Sequence, residues 1–328
     1  MAAANTVLSN TEGNNFLTTI LLKTGSPSSL RSRGGKRQGI PARVACSYAV
    51  GMDTRQAAER AAEVIRQRAG RQPSVGLICG TGFAPCTDVL SDRVSIPFEA
   101  LGFRPSAIPD HVNEVDVGEL DGVTVAAVKA KVLPCDDATW QESGLPARTL
   151  ALAGCRTLLY SANSGSMRED VTPGTFLAFT DHINFSGLNP LATEREGSGW
   201  ETPYLSMAEL YEATLTKQVC GAVEDAGLAL PTGVAGYWMG PSFETPAEIR
   251  LAQMAGCSIS SNSFLPEVMA GYHAGMKVVA FTFVSTMSAG IGPPIDLGPV
   301  LDLTHKAHTD YRTILRTAIP VLAARLAV

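Results

Sequence analysis

The sequence predicts an α/β fold built on one central sheet, and three observations carry that prediction. Short, continuous apolar runs such as Val75-Gly76-Leu77-Ile78-Cys79 and Val123-Thr124-Val125-Ala126-Ala127-Val128 have the length and composition of buried strands. Amphipathic stretches of helical period alternate with them along the chain, the order that lays helices over a sheet. No internal repeat and no linker interrupts the pattern after residue 55.

At 328 residues, 45% of them hydrophobic and 17% charged, the chain can bury a sizeable core. No apolar run approaches the ~18 residues a helix needs to span a membrane. The net charge of −5 is unevenly spread. Residues 1–48 carry Lys23, Arg31, Arg33, Lys36, Arg37 and Arg43 against Glu12 alone, so the body is the acidic part. That argues against nucleic acid as a partner, because phosphate neutralisation needs clustered Lys and Arg. The seven cysteines are scattered, odd in number and free of C-x-x-C spacing. Such usage suits thiols in a reducing compartment and suggests no metal site.

The first 50 residues are rich in Ser, Thr, Asn and Arg and nearly free of acid, the composition of an organellar transit peptide. Val44-Ala45-Cys46-Ser47 resembles a plastid processing site. The expectation is a leader over residues 1–50, one domain over 51–328 and a chloroplast location. A mitochondrial or cytoplasmic location and a plain disordered tail are the alternatives.

Residues 54–69 open the body as an amphipathic helix, with Ala58, Ala61, Ala62 and Ile65 on one face. The strand at 75–79 runs into a Gly80-Thr81-Gly82 turn whose amides could cradle an anion. It matches neither G-x-G-x-x-G nor a Walker loop. A Leu120-Asp121-Gly122 turn before the strand at 123–128 suggests a hairpin. A loop over 131–137 and a helix over 139–153 follow. Strands are expected at 157–162 and 176–183, with Asn163-Ser164-Gly165-Ser166 as a polar loop between them. An irregular stretch at 186–202 leads to a helix at 206–226 and a strand at 234–239. Then come a helix at 246–255, a strand at 277–285 and a final helix from 303 to the end, kinked at Pro320. His182 reads as structural, His273 and His305 as surface groups on helices, and Trp140, Trp200 and Trp238 as packing residues.

Gly240-Pro241-Ser242-Phe243-Glu244-Thr245 links the strand at 234–239 to the helix at 246–255. Thr245-Pro246-Ala247-Glu248 has the form of a capping box with proline at the first helical position. Phe243 and Glu244 therefore lie at a strand end, where open α/β sheets bind ligands. A carboxylate beside an aromatic ring there suits a planar, hydrogen-bonding ligand. The plainer reading is a helix start at which Glu244 favours the dipole.

Together with this stretch, four other segments stand in a telling order and spacing. They are Ile78-Cys79-Gly80-Thr81-Gly82, Leu120-Asp121-Gly122, Thr180-Asp181-His182-Ile183-Asn184 with Asn189-Pro190-Leu191, and Pro266-Glu267-Val268. Over residues 57–326 the chain resembles the trimeric purine nucleoside phosphorylases, including the methylthioadenosine phosphorylase branch. The resemblance implies a nucleoside-phosphorylase fold with a mixed, twisted sheet, and a homotrimer. It also implies attack of inorganic phosphate on the anomeric carbon of a nucleoside, through an oxocarbenium-like transition state. The substrate would be a small molecule, with no cofactor beyond phosphate as co-substrate.

Residue by residue, the resemblance places Thr81, Lys131, Asn163 and Ser263 at the phosphate, with His111 on the same side. Cys135 and Asn262 fall at the ribose and His308 at its 5′ end. Phe243 and Glu244 match the base-binding pair, and Thr286 the position facing the N7 side of the purine. His111, Glu244 and Thr286 are the candidate catalytic residues. The chain departs from the family at several of these positions. Lys131 replaces an arginine and cannot form a bidentate fork. Leu133 replaces a histidine, Cys135 a tyrosine, Asn262 a methionine, and Thr286 an Asn or Asp. Those changes, with the Asp136-Asp137 pair, leave three functions open: phosphorolysis of a purine or related nucleoside, hydrolysis, isomerisation or lysis of another metabolite in the same pocket, and non-catalytic binding or storage.

Overall fold

A computed structural model describes residues 53–108, 110–192, 199–200, 202 and 204–324. The expected leader lies outside them, as does part of the irregular stretch at 186–202.

Helix α1 (Thr54–Ala69) starts where the Asp53 carboxylate accepts the Gln56 N–H at 2.9 Å. It stops at Gly70, whose φ of 64° closes the last turn. Ala58, Ala61, Ala62 and Ile65 are buried, as their spacing predicts. Strands β1 (Val75–Ile78) and β2 (Ser91–Pro97), the short helix α2 (Phe98–Leu101), β3 (Glu114–Leu120) and β4 (Val123–Val128) follow. β3 and β4 form the expected hairpin, with Asp121 and Gly122 at φ of 49° and 79°. Helix α3 (Trp140–Ala153) opens on a Thr139–Glu142 capping box. The rest runs β5 (Thr157–Ser166), β6 (Phe176–Asn184), α4 (Ala213–Asp225), β7 (Thr232–Tyr237), α5 (Pro246–Met254) and β8 (Cys257–Ser261). Helix α6 (Leu265–His273), β9 (Lys277–Met287), α7 (Leu297–Lys306) and α8 (His308–Ala324) complete it.

Among the described residues the nine strands are ordered β2-β3-β4-β1-β5-β8-β7-β6-β9, and β9 returns to pair with β5. Five strands therefore close into a ring, from which β1, β4, β3 and β2 extend as an open sheet. Parallel and antiparallel neighbours are mixed, as expected. An apolar layer under α1, α3 and α6 covers one face, centred on residues such as Leu150, Leu158 and Val268. A second layer, under α4 and α8, holds Phe83, Phe283 and Tyr311. Between the two halves β5 changes partner. It pairs with β1 over residues 157–160 but with β8 only at Gly165 and Ser166. Among the described residues no strand lies beside 161–164 on that edge, and the sheet gapes there.

Several boundaries differ from the expected ones. Asn163-Ser164-Gly165-Ser166 is strand, held in register with β9 as far as Ser166 opposite Met287. Its residues are polar because they face the gap instead of a core, which gave them the look of a loop. β9 likewise runs on to Met287. The sequence did not suggest β2, an exposed edge, or β8, which is mostly serine yet fully buried. Helix α4 begins only at Ala213, since Glu212 caps it by accepting the Leu215 N–H and Tyr211 bridges to Val278. The final helix is two helices, α7 and α8, with Pro320 inside the second. His273 is 3% exposed, not a surface group, and its Nε2 lies 3.3 Å from the Thr202 carbonyl oxygen. His305 is exposed, and His182 sits 3.2 Å from the Tyr211 hydroxyl in a packed aromatic cluster. Trp238 stacks on Phe185 at 4.6 Å and Trp140 packs on Tyr237.

Candidate active site

A cavity of about 310 Å³ occupies the gap beside β5. Strand ends build most of its wall: Asn163, Ser164 and Gly165 from β5, Ser260 and Ser261 from β8, Ser285 and Thr286 from β9. Asn262 and Ser263 continue the wall beyond β8, and Thr81, Phe243 and Glu244 enter from loops. Ile108, Leu133, Ile295, Val300 and Leu301 form an apolar side. Among the described residues Glu244 is the one acidic or basic side chain on the wall.

Thr81 is set from behind. The buried N–H of Lys131 donates to Nδ1 of His111 at 3.3 Å, and the Ser106 hydroxyl lies 2.8 Å from the same nitrogen. Burial, aided by the Lys131 ammonium, lowers the His111 pKa to about 4, so the ring is neutral at pH 7. With Nδ1 accepting, the single proton is on Nε2, which lies 3.0 Å from Thr81 Oγ1. Nε2–H therefore donates to the threonine oxygen, and the threonine's own hydrogen is free for the cavity. Next to it, the Asn163 Nδ2 donates to the Thr81 carbonyl at 3.3 Å, while its Oδ1 has no partner among the described residues. Ser261 Oγ donates to the Asn163 carbonyl at 2.9 Å and lies 3.4 Å from Ser263 Oγ. These neutral hydroxyls and amides form one end of the cavity, suited to an oxyanion.

The Phe243–Glu244 end depends on a turn only glycine permits. Gly240 has a φ of 72°, and a Cβ there would meet Asn262 Nδ2 at 2.8 Å. The capping box expected at Thr245 is present, with Glu248 accepting the Thr245 N–H at 2.7 Å and Pro246 at the start of α5. Phe243 stands at the rim, 52% exposed. Glu244 is half-buried, and burial raises its pKa against the pull of a backbone N–H and the Ser260 hydroxyl. Its carboxyl thus keeps a proton to higher pH than a solvated one, beside Thr286 on the same wall.

Of the residues singled out from sequence, Thr81, Asn163, Phe243, Glu244, Asn262, Ser263 and Thr286 share the wall. His111 touches it through Thr81. Lys131 is 2% exposed and turned inward, with Nζ 2.9 Å from the Ser161 carbonyl oxygen. Cys135 lies in a 3₁₀ turn off the wall, its thiol raised by burial, and the Asp136–Asp137 pair is beside it. His308 turns away, its Nε2 donating to the Gly82 carbonyl at 2.8 Å. Sequence reasoning missed the serines at 260, 261, 285 and 288 and the apolar residues of α7. The serine-rich run Ser258-Ile259-Ser260-Ser261-Asn262-Ser263 was the available signal for Ser260 and Ser261.

Comparison with known proteins places this architecture. The family model described as the Phosphorylase superfamily matches residues 74–320. "Purine nucleoside phosphorylase 1" of Geobacillus stearothermophilus is 29% identical over 271 residues, which is 82% of this chain and 98% of the relative. The protein of the same name in Bacillus subtilis (strain 168) is 28% identical, over 80% of this chain and 97% of its own. Among solved structures, isoform 2 of purine nucleoside phosphorylase from Schistosoma mansoni, in complex with cytosine and ribose-1-phosphate, shares the fold with a TM-score of 0.76. It is 24% identical and covers 82% of this chain and 97% of its own. The matched span covers most of the chain, including the ringed mixed sheet and the cavity at its gap: the chain belongs to the Phosphorylase superfamily.

Proposed function

We propose that the protein cleaves the N-glycosidic bond of a purine nucleoside by phosphorolysis. The observation that carries this reading is one cavity joining the Thr81–Ser263 donor end to the Phe243–Glu244 end. Phosphate accepts the Thr81 hydrogen that His111 leaves free, and a hydrogen from Ser263. One of its oxygens bonds to the anomeric carbon as the bond to the base breaks, and that electron pair leaves with the purine. The purine rests against Phe243, with Thr286 and the Glu244 carboxyl as hydrogen-bond partners, and the proton the base gains is the one the attacking hydrogen phosphate carried. The products are a pentose 1-phosphate and the free base, and the chemistry needs no metal or organic cofactor. The names of the two bacterial relatives support the assignment.

Inosine, guanosine, adenosine and methylthioadenosine, each with and without phosphate, test it by release of free base. Phosphate-dependent release with formation of pentose 1-phosphate is expected. No turnover, or turnover indifferent to phosphate, overturns it. A hydrolytic reading is favoured by one feature only, the lack of a Lys, Arg or His on the wall among the described residues, and indifference to phosphate is its sign.

The reading extends to a plastid leader in residues 1–50, supported by composition, and to a homotrimer. Apolar side chains that α5 leaves in solvent, Leu251 at 57% and Met254 at 86% exposure, support assembly. Light scattering of the purified protein measures the oligomer, and uptake by isolated chloroplasts tests the leader.

A further inference from the structure

Two buried hydroxyls in the cavity wall have no part in the chemistry derived above. Ser260, in β8, and Ser288, just beyond β9, are 5% and 1% exposed, and their Oγ atoms are 3.1 Å apart. Both line the wall together with Phe243, Glu244 and Thr286. The residues after Ser288 set the pair at that end of the cavity. A Cβ on Gly290 would meet Pro246 Cβ at 2.8 Å, so this stretch lies against the start of α5, just past Glu244.

The backbone makes room for the pair and fixes it. Gly165 of β5 stands in register with Ser260 on one side and Thr286 on the other. A Cβ on Gly165 would come 2.9 Å from Ser288 Oγ and 3.3 Å from Ser260 Oγ, so the two hydroxyls take the space a side chain would fill. The Ser288 N–H donates to the Ser166 carbonyl at 2.8 Å, which anchors that residue to β5. Ser285, also on the wall, gives its hydroxyl hydrogen to the Ser164 carbonyl at 3.4 Å. Ser288 Oγ instead has Ser260 Oγ as its partner, and Ser260 Oγ stands between it and the Glu244 carboxyl. A hydroxyl carries one hydrogen and two lone pairs, and its hydrogen turns to suit its neighbours. With Ser288 donating to Ser260, the Ser288 oxygen offers a lone pair to the cavity. Turned the other way, Ser288 gives that hydrogen to a ligand, and one hydrogen bond replaces another.

We propose that the Ser260–Ser288 pair determines specificity at the base end, its hydroxyls turning to accept from a 6-aminopurine or to donate to a 6-oxopurine. This rests on the reading that a purine binds at Phe243 and Glu244. The two classes of base present opposite polarity at the 6 position, an amino donor in one and a carbonyl acceptor in the other. A wall of fixed donors or acceptors separates such ligands by about 10⁴ or more, because the wrong one leaves a buried group unpaired. Hydroxyls that exchange roles leave nothing unpaired in either case, so both classes bind.

Hypoxanthine, adenine and 6-methylpurine are the probes, and their binding to the full chain is measured by calorimetry. The methyl compound fills the same space but forms no hydrogen bond at the 6 position. Wild type is expected to bind hypoxanthine and adenine within about ten-fold of each other, and 6-methylpurine about five-fold or more weakly than either. Ser288→Ala should weaken both natural bases by about five-fold and leave 6-methylpurine unchanged, which a merely structural role would not do. A preference of about 100-fold or more for one base in the wild type overturns the proposal, and needs no variant. So does a Ser288→Ala protein that loses affinity for one base only, or for 6-methylpurine as much as for the others. If inosine is phosphorolysed while adenine does not bind, the phosphorolytic reading stands and this proposal falls. Wild type that binds none of the three removes the reading of the base end, and the proposal with it.

Discussion

In His111→Gln the side-chain nitrogen can stand where the ring's Nε2 stood, and in His111→Asn the amide oxygen falls near Nδ1. The two substitutions therefore separate the ring's two tasks. Gln keeps a donor for Thr81 but strands the buried Lys131 N–H that Nδ1 accepted at 3.3 Å. An unsatisfied buried donor costs about 1–3 kcal/mol, so His111→Gln should lose stability in that range with little change in phosphate KM. Asn keeps the acceptor but frees the Thr81 hydroxyl to rotate, removing one oriented hydrogen bond of 3.0 Å. At about 1 kcal/mol that is roughly five-fold in phosphate KM, with stability near wild type. Linkage supplies a second reading of the same ring. The folded pKa of about 4 lies below the ordinary 6.5, so unfolding takes up a proton at acid pH. Stability from the neutral ring is complete above pH 6.5 and is lost as pH falls toward 4, about 3 kcal/mol in all. Neither variant has that ring, so between pH 7 and pH 4.5 wild type should lose about 2 kcal/mol relative to each, which closes or reverses the gap to His111→Gln and leaves His111→Asn more stable than wild type. Urea unfolding at both pH values and initial rates against phosphate measure these quantities. If both substitutions moved the same parameter, or if the gap did not change with pH, the assigned tautomer and its burial would be refuted.

Glu244→Ala should lower kcat/KM for the nucleoside by about 10² or more while leaving the melting temperature within a few degrees, and Glu244→Gln should retain more activity because its amide can still hydrogen-bond the base. Phe83 is fully buried and stacks on Tyr311 at 4.3 Å, directly after the Gly80-Thr81-Gly82 turn. Phe83→Ala is expected to cost about 3–5 kcal/mol in denaturant unfolding and to raise phosphate KM as the turn loses its anchor. Gly240→Ala places a methyl 2.8 Å from Asn262 Nδ2 at a φ of 72°, and should destabilise by about 1–2 kcal/mol while weakening inosine binding in a thermal-shift titration.

Local chemistry was legible in the sequence wherever the physical cause lay within a few residues. The Thr245–Glu248 capping box, the buried face of α1 and the Asp121-Gly122 hairpin are of this kind, and so is the placement of Phe243 and Glu244 on a cavity wall at a strand end. What could not be read depends on partners distant in the chain. Lys131 is buried because its ammonium finds oxygens 30 and 132 positions away. His308 faces Gly82, 226 positions back. The serine-rich ends of β5 and β8 have a loop's composition because the surface they face is a cavity, so the usual link between burial and apolar character fails there. The resemblance gave the wall its order of residues, but not which of them stand one layer behind it.

The return of β9 to β5 has a bearing on how copies of this protein can meet. A ring has no terminal strand, so among the described residues the sheet has a single terminal strand, β2. That strand is poorly made for templating another chain. It is broken by a bulge between Ser91 and Val94, carries Asp92 and Arg93 in exposed positions, and ends in Pro97, which has no N–H to offer. Self-association by strand addition is thereby disfavoured, and any assembly is left to side chains on helices and loops, where its geometry can be set residue by residue.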